Sequence, residues 1–202
     1  FAELLKVEYP HDEKIQEYVE SIIETKRHLL SIVNELRDFA QNKDIIYEKS
    51  NYSLSSVVES VCSFIKFDTT IKRHHLKTDY QTNPIIHINK EKIRQLLINI
   101  IRNAAHAIGN ERQGTISIQV AADQEWAYLR ITDDGCGIPE HLKAKIWQPF
   151  FTTKGEIGTG LGLDICKRIV EGHGGQIQCQ SVVNKGTCFT LRFPLAKVKA
   201  LA

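Results

Sequence analysis

The chain has 202 residues, 42% hydrophobic and 25% charged, enough for one packed domain and a further element. Twenty-six basic and 24 acidic residues leave a formal net charge of +2, and the basic ones are scattered, which argues against a nucleic-acid-binding stripe. No apolar run approaches the roughly 18 residues of a membrane span, no secretory leader is visible, and five cysteines without CxxC or Cys/His metal spacing fit reduced thiols, so a cytoplasmic setting is expected.

Residues 1–8 read as the end of a helix, and Tyr9-Pro10-His11-Asp12 as a turn. From Asp12 to Ala40, Ile15, Ile22, Leu29 and Leu36 recur every seventh position, with Tyr18, Thr25, Ile32 and Phe39 three places on. Charged residues, among them Glu13, Glu17, Glu24, Arg27 and Arg37, fill the outward positions, which predicts one long amphipathic helix. A stripe of this length needs a partner surface, so the truncated hairpin predicts a homodimer through a helical bundle. A boundary is expected near residue 46, between the hairpin (1–46) and a globular domain (47–202).

Beyond the polar stretch Gln41–Asn51, Ser53 is placed to cap a helix carrying Leu54, Val57, Val58, Val61, Cys62 and Ile65. Leu76–Tyr80 and Ile85–Ile88 read as short strands, Lys90–Ile108 as a strong helix, Thr115–Val120 and Tyr128–Thr132 as strands. A helix over Leu161–Glu171 and strands over Gln176–Ser181 and Thr187–Phe193 follow, punctuated by Gly174-Gly175 and Asn184-Lys185-Gly186. Helices on one face of a mixed sheet make the expected fold class α+β, a two-layer sandwich.

Asn99 and Asn103 lie four apart on the Lys90–Ile108 helix and so share a face, while Leu96, Ile100, Ala104 and Ala107 are free to pack on the sheet. A neutral amide oxygen suits Mg2+, which takes oxygen ligands and leaves the phosphates to supply charge, making Asn103 the candidate metal ligand. The next strand runs into Asp133-Asp-Gly135-Cys-Gly137. A carboxylate at a strand end can accept a hydrogen bond from an exocyclic amine, and Gly135 and Gly137 let backbone approach a flat base. Asp133 is therefore the candidate adenine reader, with Asp134 read as a turn former and Cys136 as a small filler. Phe150-Phe-Thr-Thr-Lys154 and Gly158-Thr159-Gly160-Leu161-Gly162-Leu then bracket a short segment. Glycines ahead of an apolar helix expose amides that, with the helix dipole, can hold phosphate oxygens, and Lys154 supplies a point charge. The spacing matches neither GxxxxGK[ST] nor a dinucleotide fingerprint with its acidic ribose ligand. In this order the four blocks describe one ATP site.

The blocks resemble the N, G1, F and G2 boxes of the catalytic, ATP-binding domain of bacterial sensor histidine kinases, within the superfamily that includes gyrase, heat-shock chaperone and mismatch-repair ATPases. The resemblance covers about residues 50 to 195 and extends to His173-Gly-Gly175 and Gly186-Thr187-Cys-Phe-Thr190. It implies ATP and Mg2+ as cofactors, Asn103 on the metal, Asp133 on adenine, Thr187 near the base, and a pocket shaped by Gly135, Gly137, Gly158, Thr159, Gly160, Leu161 and Gly162. The short lid is similar to that of the nitrogen-regulation type of kinase. Asn99 stands where hydrolytic relatives carry a Glu base, and an amide cannot take a proton from water near neutral pH, so rapid hydrolysis is not expected.

The implied function is a two-component kinase core that transfers the ATP γ-phosphoryl to a histidine for relay to a response-regulator receiver domain. In that reading, 1–46 is a partial dimerisation and phosphotransfer hairpin. The family's His-Glu/Asp-x-x-Asn/Thr-Pro acceptor box does not occur among the 202 residues, so no catalytic histidine is expected within the chain and the chain alone is not expected to autophosphorylate. The alternative is a non-catalytic ATP-binding module docking a partner through its long helix. An ATPase clamp is disfavoured by Asn99.

Overall fold

A computed structural model describes residues 2–10, 12–41, 48–155 and 158–196. The chain forms two compact units, Phe1–Lys43 and Asp44–Ala202. The expected boundary at residue 46 falls within 42–47, outside the described residues.

The first unit is a helical hairpin of α1 (Ala2–Glu8) and α2 (Glu13–Gln41). Asp12 starts the long helix, its Oδ1 accepting from the N–H groups of Lys14 and Ile15 at 3.1 Å each, and Gln16 reaches back to the Tyr9 carbonyl at 2.8 Å. Along α2, Tyr18, Ile22, Leu29, Leu30 and Val33 are exposed in the single chain, whereas Val19, off the heptad stripe, is buried.

The second unit is built on a five-stranded mixed sheet. Its elements are β1 (Ser50–Ser53), α3 (Leu54–Ile65), β2 (His75–Tyr80), β3 (Ile85–Ile88), α4 (Lys90–Ile108), β4 (Thr115–Ala122), β5 (Trp126–Asp133), α5 (Gly162–Gly172), β6 (Gln176–Val182) and β7 (Gly186–Pro194). The order is β2-β4-β5-β7-β6, with β2 and β4 parallel and the other pairs antiparallel. The α+β class read from the sequence is the class observed. The expected strands and helices lie within one or two residues of the observed ones. β1 was not expected: Ser-Asn-Tyr-Ser has no apolar alternation, and it becomes a strand by pairing antiparallel with β3, Ser50 opposite Ile88.

Alternation does the packing. Ile116, Ile118 and Val120 of β4, Ala127, Leu129 and Ile131 of β5, and Phe189, Leu191 and Phe193 of β7 point into one buried layer. Facing them, α4 buries Ile93, Leu96, Leu97, Ile100, Ile101, Ala104 and Ala105, a stripe at three- and four-residue intervals. Each Leu or Ile so buried contributes about 1.5–3 kcal/mol relative to exposure. The α4 helix lies between α3 and α5, which makes it the central rib of the helical layer.

A polar clip fixes one end of that rib. The Asn89 side chain caps α4 by accepting from the Lys92 N–H at 3.0 Å, while its own N–H donates to His173 Nε2 at 3.0 Å. His173 Nδ1 in turn donates to the Ile169 carbonyl at 2.6 Å, so the imidazole is neutral and ties the start of α4 to the end of α5. Asn89 Nδ2 also donates to the Glu48 carbonyl and Lys49 Nζ to the Gly172 carbonyl, at 3.1 and 2.7 Å. Burial lowers the His173 pKa, Lys49 and His87 lower it further, and the Ile169 carbonyl bond pulls the other way. The unfolded chain therefore binds more protons below the ordinary imidazole value, so this contribution to stability is complete above about pH 6.5 and is lost as pH falls through it. The urea midpoint is expected to drop between about pH 7.5 and 5.5, and to drop less in His173→Gln, which keeps an acceptor but cannot take the charge.

Candidate nucleotide-binding site

The four sequence blocks meet around the C-terminal half of α4. Asn103 Oδ1 accepts from Lys154 Nζ at 2.7 Å, and the same ammonium lies 3.2 Å from His106 Nδ1, one turn further along the helix. Asn99 is half-buried, its Nδ2 shielded and without a hydrogen-bond partner among the described residues. It faces the first turn of α5, where a Cβ placed on Gly162 would come within 3.9 Å of that nitrogen.

One turn beyond Asn103, α4 meets the loop after β5. The Cys136 N–H donates to the Ala107 carbonyl at 2.9 Å, and a Cβ on Gly135 would stand 2.6 Å from the Ala107 carbonyl carbon. Gly137 has φ +70°, and a Cβ there would overlap the Val182 carbonyl oxygen. These glycines therefore have a packing reason of their own: they let the loop lie between α4 and the β6–β7 turn.

Asp133 ends β5, 4% exposed. Its Oδ1 accepts from the N–H groups of Gly135 (2.9 Å) and Thr187 (3.3 Å), and its Oδ2 takes no donor from the described residues. Burial raises the carboxyl pKa, and the two backbone donors work against that rise. Thr187 sits directly opposite Asp133 in the β5–β7 register, itself buried, with its hydroxyl 3.0 Å from that of Ser181.

Asp134 does more than form a turn. Its Oδ1 accepts from the Thr115 N–H at 3.1 Å and from the Arg112 guanidinium at 3.2 Å, and Arg112 also binds the Asp134 carbonyl. Burial pushes this carboxyl up, but Thr115 and Arg112 hold it below the ordinary value. The Gly114 N–H beside them donates to the buried His74 Nδ1 at 3.3 Å. Asp134 thus lashes the connection before β4 to the end of β5, across a sequence separation no local pattern could disclose.

The loop leading into α5 is a folded clasp. Phe150 has φ +64° without being glycine, and Gly160 has φ +69°. A Cβ on Gly160 would overlap the Phe150 carbonyl carbon, and one on Gly158 would overlap Thr152 Oγ1. Thr152 Oγ1 accepts from the Lys154 N–H at 3.0 Å, Thr159 Oγ1 from the Leu161 N–H at 3.3 Å, and Leu161 is buried as the residue before α5. Residues 156 and 157 of the expected lid lie outside the described residues.

Residues 88–197 match the family model described as "Histidine kinase-, DNA gyrase B-, and HSP90-like ATPase". The chain belongs to this family. Among curated histidine kinase-like ATPases, it is 31% identical over 195 residues to the circadian input-output histidine kinase CikA of Synechococcus elongatus, covering 92% of this chain and 26% of that protein. Among solved structures, the catalytic domain of histidine kinase ThkA aligns with 31% identity and a TM-score of 0.65, covering 73% of this chain and 98% of that domain. ThkA in complex with the response regulator protein TrrA aligns over 95% of this chain and 55% of that one, with 26% identity and a TM-score of 0.73. The chain spans between 26% and 35% of the length of the first three curated relatives. This is an ATP-binding domain of the histidine kinase type.

The sequence reading missed Ser181 and His106, which have no motif of their own. It also missed Arg112, whose role needs Asp134 in place. Gly137→Ala is expected to lower stability by about 1–3 kcal/mol from the left-handed φ alone, and by more from the overlap with Val182, read as a shifted urea midpoint.

Proposed function

We propose that the domain binds Mg2+·ATP along α4 and, as part of a longer sensor kinase, transfers the γ-phosphoryl group to a histidine for relay to a response-regulator aspartate. One observation carries this reading. Asn103 with Lys154, and Ala107 against Gly135 beside Asp133, lie one helical turn apart on α4, so phosphate-type and base-type groups share one rib.

In this reading Asp133 Oδ2 accepts from the adenine amine and Thr187 lies beside the base. The backbone of Gly135 and Gly137 shapes the base end, and that of Gly158, Thr159, Gly160, Leu161 and Gly162 leads the phosphates to the N-terminus of α5. Asn103 presents a neutral oxygen already facing a cation, the Lys154 ammonium, which is a donor fit for Mg2+. When bound, the metal would neutralise charge on the phosphate oxygens. Lys154 would offer the phosphates the donors that now face Asn103 and His106. Asn99 takes no proton from water, so the site holds ATP intact until a nucleophile arrives. Catalysis is left to positioning and charge stabilisation, which suits phosphoryl transfer.

The exposed apolar residues of α2 support a homodimer through the hairpin. The likeness to ThkA, which was solved with its response regulator, supports a receiver domain as partner. Among the described residues no helix is long and apolar enough to cross a membrane, and the five cysteines form no disulfide. We place the domain in the cytoplasm.

The test is to mix the chain with radiolabelled ATP, Mg2+ and a separate hairpin containing an acceptor histidine. Label on that histidine is the expected result; binding without transfer would support a non-catalytic module. By calorimetry, Asp133→Asn is expected to weaken ATP binding at least tenfold, about 1.5–3 kcal/mol for a hydrogen bond to a charged group, while the fold persists. Lys154→Met is expected to weaken ATP binding about 5- to 20-fold and to leave adenosine binding unchanged.

A further inference from the structure

Asp133, Thr187 and Ser181 form one register row across β5, β7 and β6, and all three are buried, at 4%, 4% and 7% exposure. The Ser181 hydroxyl has three neighbours: the Ile138 N–H at 2.8 Å, the Gly186 carbonyl at 2.9 Å and Thr187 Oγ1 at 3.0 Å. Proton counting leaves one arrangement. A carbonyl can only accept, so the single Ser181 proton goes to Gly186. An N–H can only donate, so Ile138 takes one Ser181 lone pair, and the Thr187 hydroxyl must donate to the other. Thr187 is left with lone pairs alone. Its neighbour Asp133 already holds two N–H donors on Oδ1, an arrangement suited to the carboxylate, which is also acceptor-only.

We propose that Ser181, by fixing the Thr187 proton, makes the Asp133–Thr187 edge of the base pocket acceptor-only and so selects a purine bearing an amino group at C6 over one bearing an oxo group. Ser181 is a positioning residue that acts through Thr187, and the proposal rests on the reading of Asp133 as the base-binding carboxylate. Without the Ser181 oxygen, the Thr187 hydroxyl is free to turn its proton toward an oxo group.

The experiment measures calorimetric affinities of ATP and inosine triphosphate for the intact chain, Ser181→Ala, Thr187→Val and the double variant, with circular-dichroism melts to confirm folding. The intact chain is expected to prefer ATP by at least about tenfold, the scale of one mismatched buried polar contact. Ser181→Ala should lower that ratio about 5- to 10-fold. Thr187→Val should lower it as well, and adding Ser181→Ala to Thr187→Val should change it no further. Equal weakening of both nucleotides by Ser181→Ala would assign Ser181 a packing role and overturn the proposal, as would a ratio shift that persists without the Thr187 hydroxyl. If Ser181→Ala does not fold, Thr187→Val decides: an unchanged ratio overturns the proposal. Failure of the intact chain to bind either nucleotide would instead sink the nucleotide-site reading itself.

Discussion

The arrangement depends on one close approach, that of the loop after β5 to the last turn of α4. Backbone touches backbone there: Gly135 leaves no room for a Cβ against Ala107, and the Cys136 N–H satisfies the Ala107 carbonyl, one of the four that a helix leaves open at its C-terminus. This contact sets the distance between Asp133 and the asparagines of α4. A side chain at 135 would push the loop away and separate Asp133 from Asn99 and Asn103. The site is therefore a product of main-chain packing, with its chemical side chains mounted on a frame made by glycines.

The side chains around α4 are electrostatically prepared without being rigidly charged. Asn103 and Asn99 are neutral, and Lys154 rests on Asn103 Oδ1 and near His106. At the other end, Asp133 is a buried carboxylate whose anionic form is sustained by two backbone donors, leaving its second oxygen available. The polarity thus changes along α4, from acceptors at the sheet to the Lys154 cation beside Asn103.

Much of this was legible in the sequence because it is local. The spacing of Ile93, Leu96, Leu97, Ile100 and Ile101 writes α4 directly, and the order of the four blocks placed the site residues on a helix, a strand end and a loop before a helix. What escaped notice depends on pairs distant in sequence. The Asn89–His173 bond spans 84 residues, and the Ser181–Ile138 bond spans 43. Asp134 looks like any turn residue until Arg112 and Thr115 are brought beside it. Strand β1 is invisible for another reason: it shows no apolar alternation, and its pairing with β3 makes it a strand.

The clip at Asn89 has a geometric consequence. Through Asn89, His173, Gly172, Glu48 and Lys49, the segment entering the domain is fastened at the N-terminal end of α4, whereas Asn103 lies 14 residues on, about 21 Å away at helical rise. A displacement of that segment would therefore act at the far end of a stiff rod from Asn103. Because α4 is packed between α3 and α5, the rib that carries Asn99 and Asn103 is also the element to whose cap the entering segment is tied.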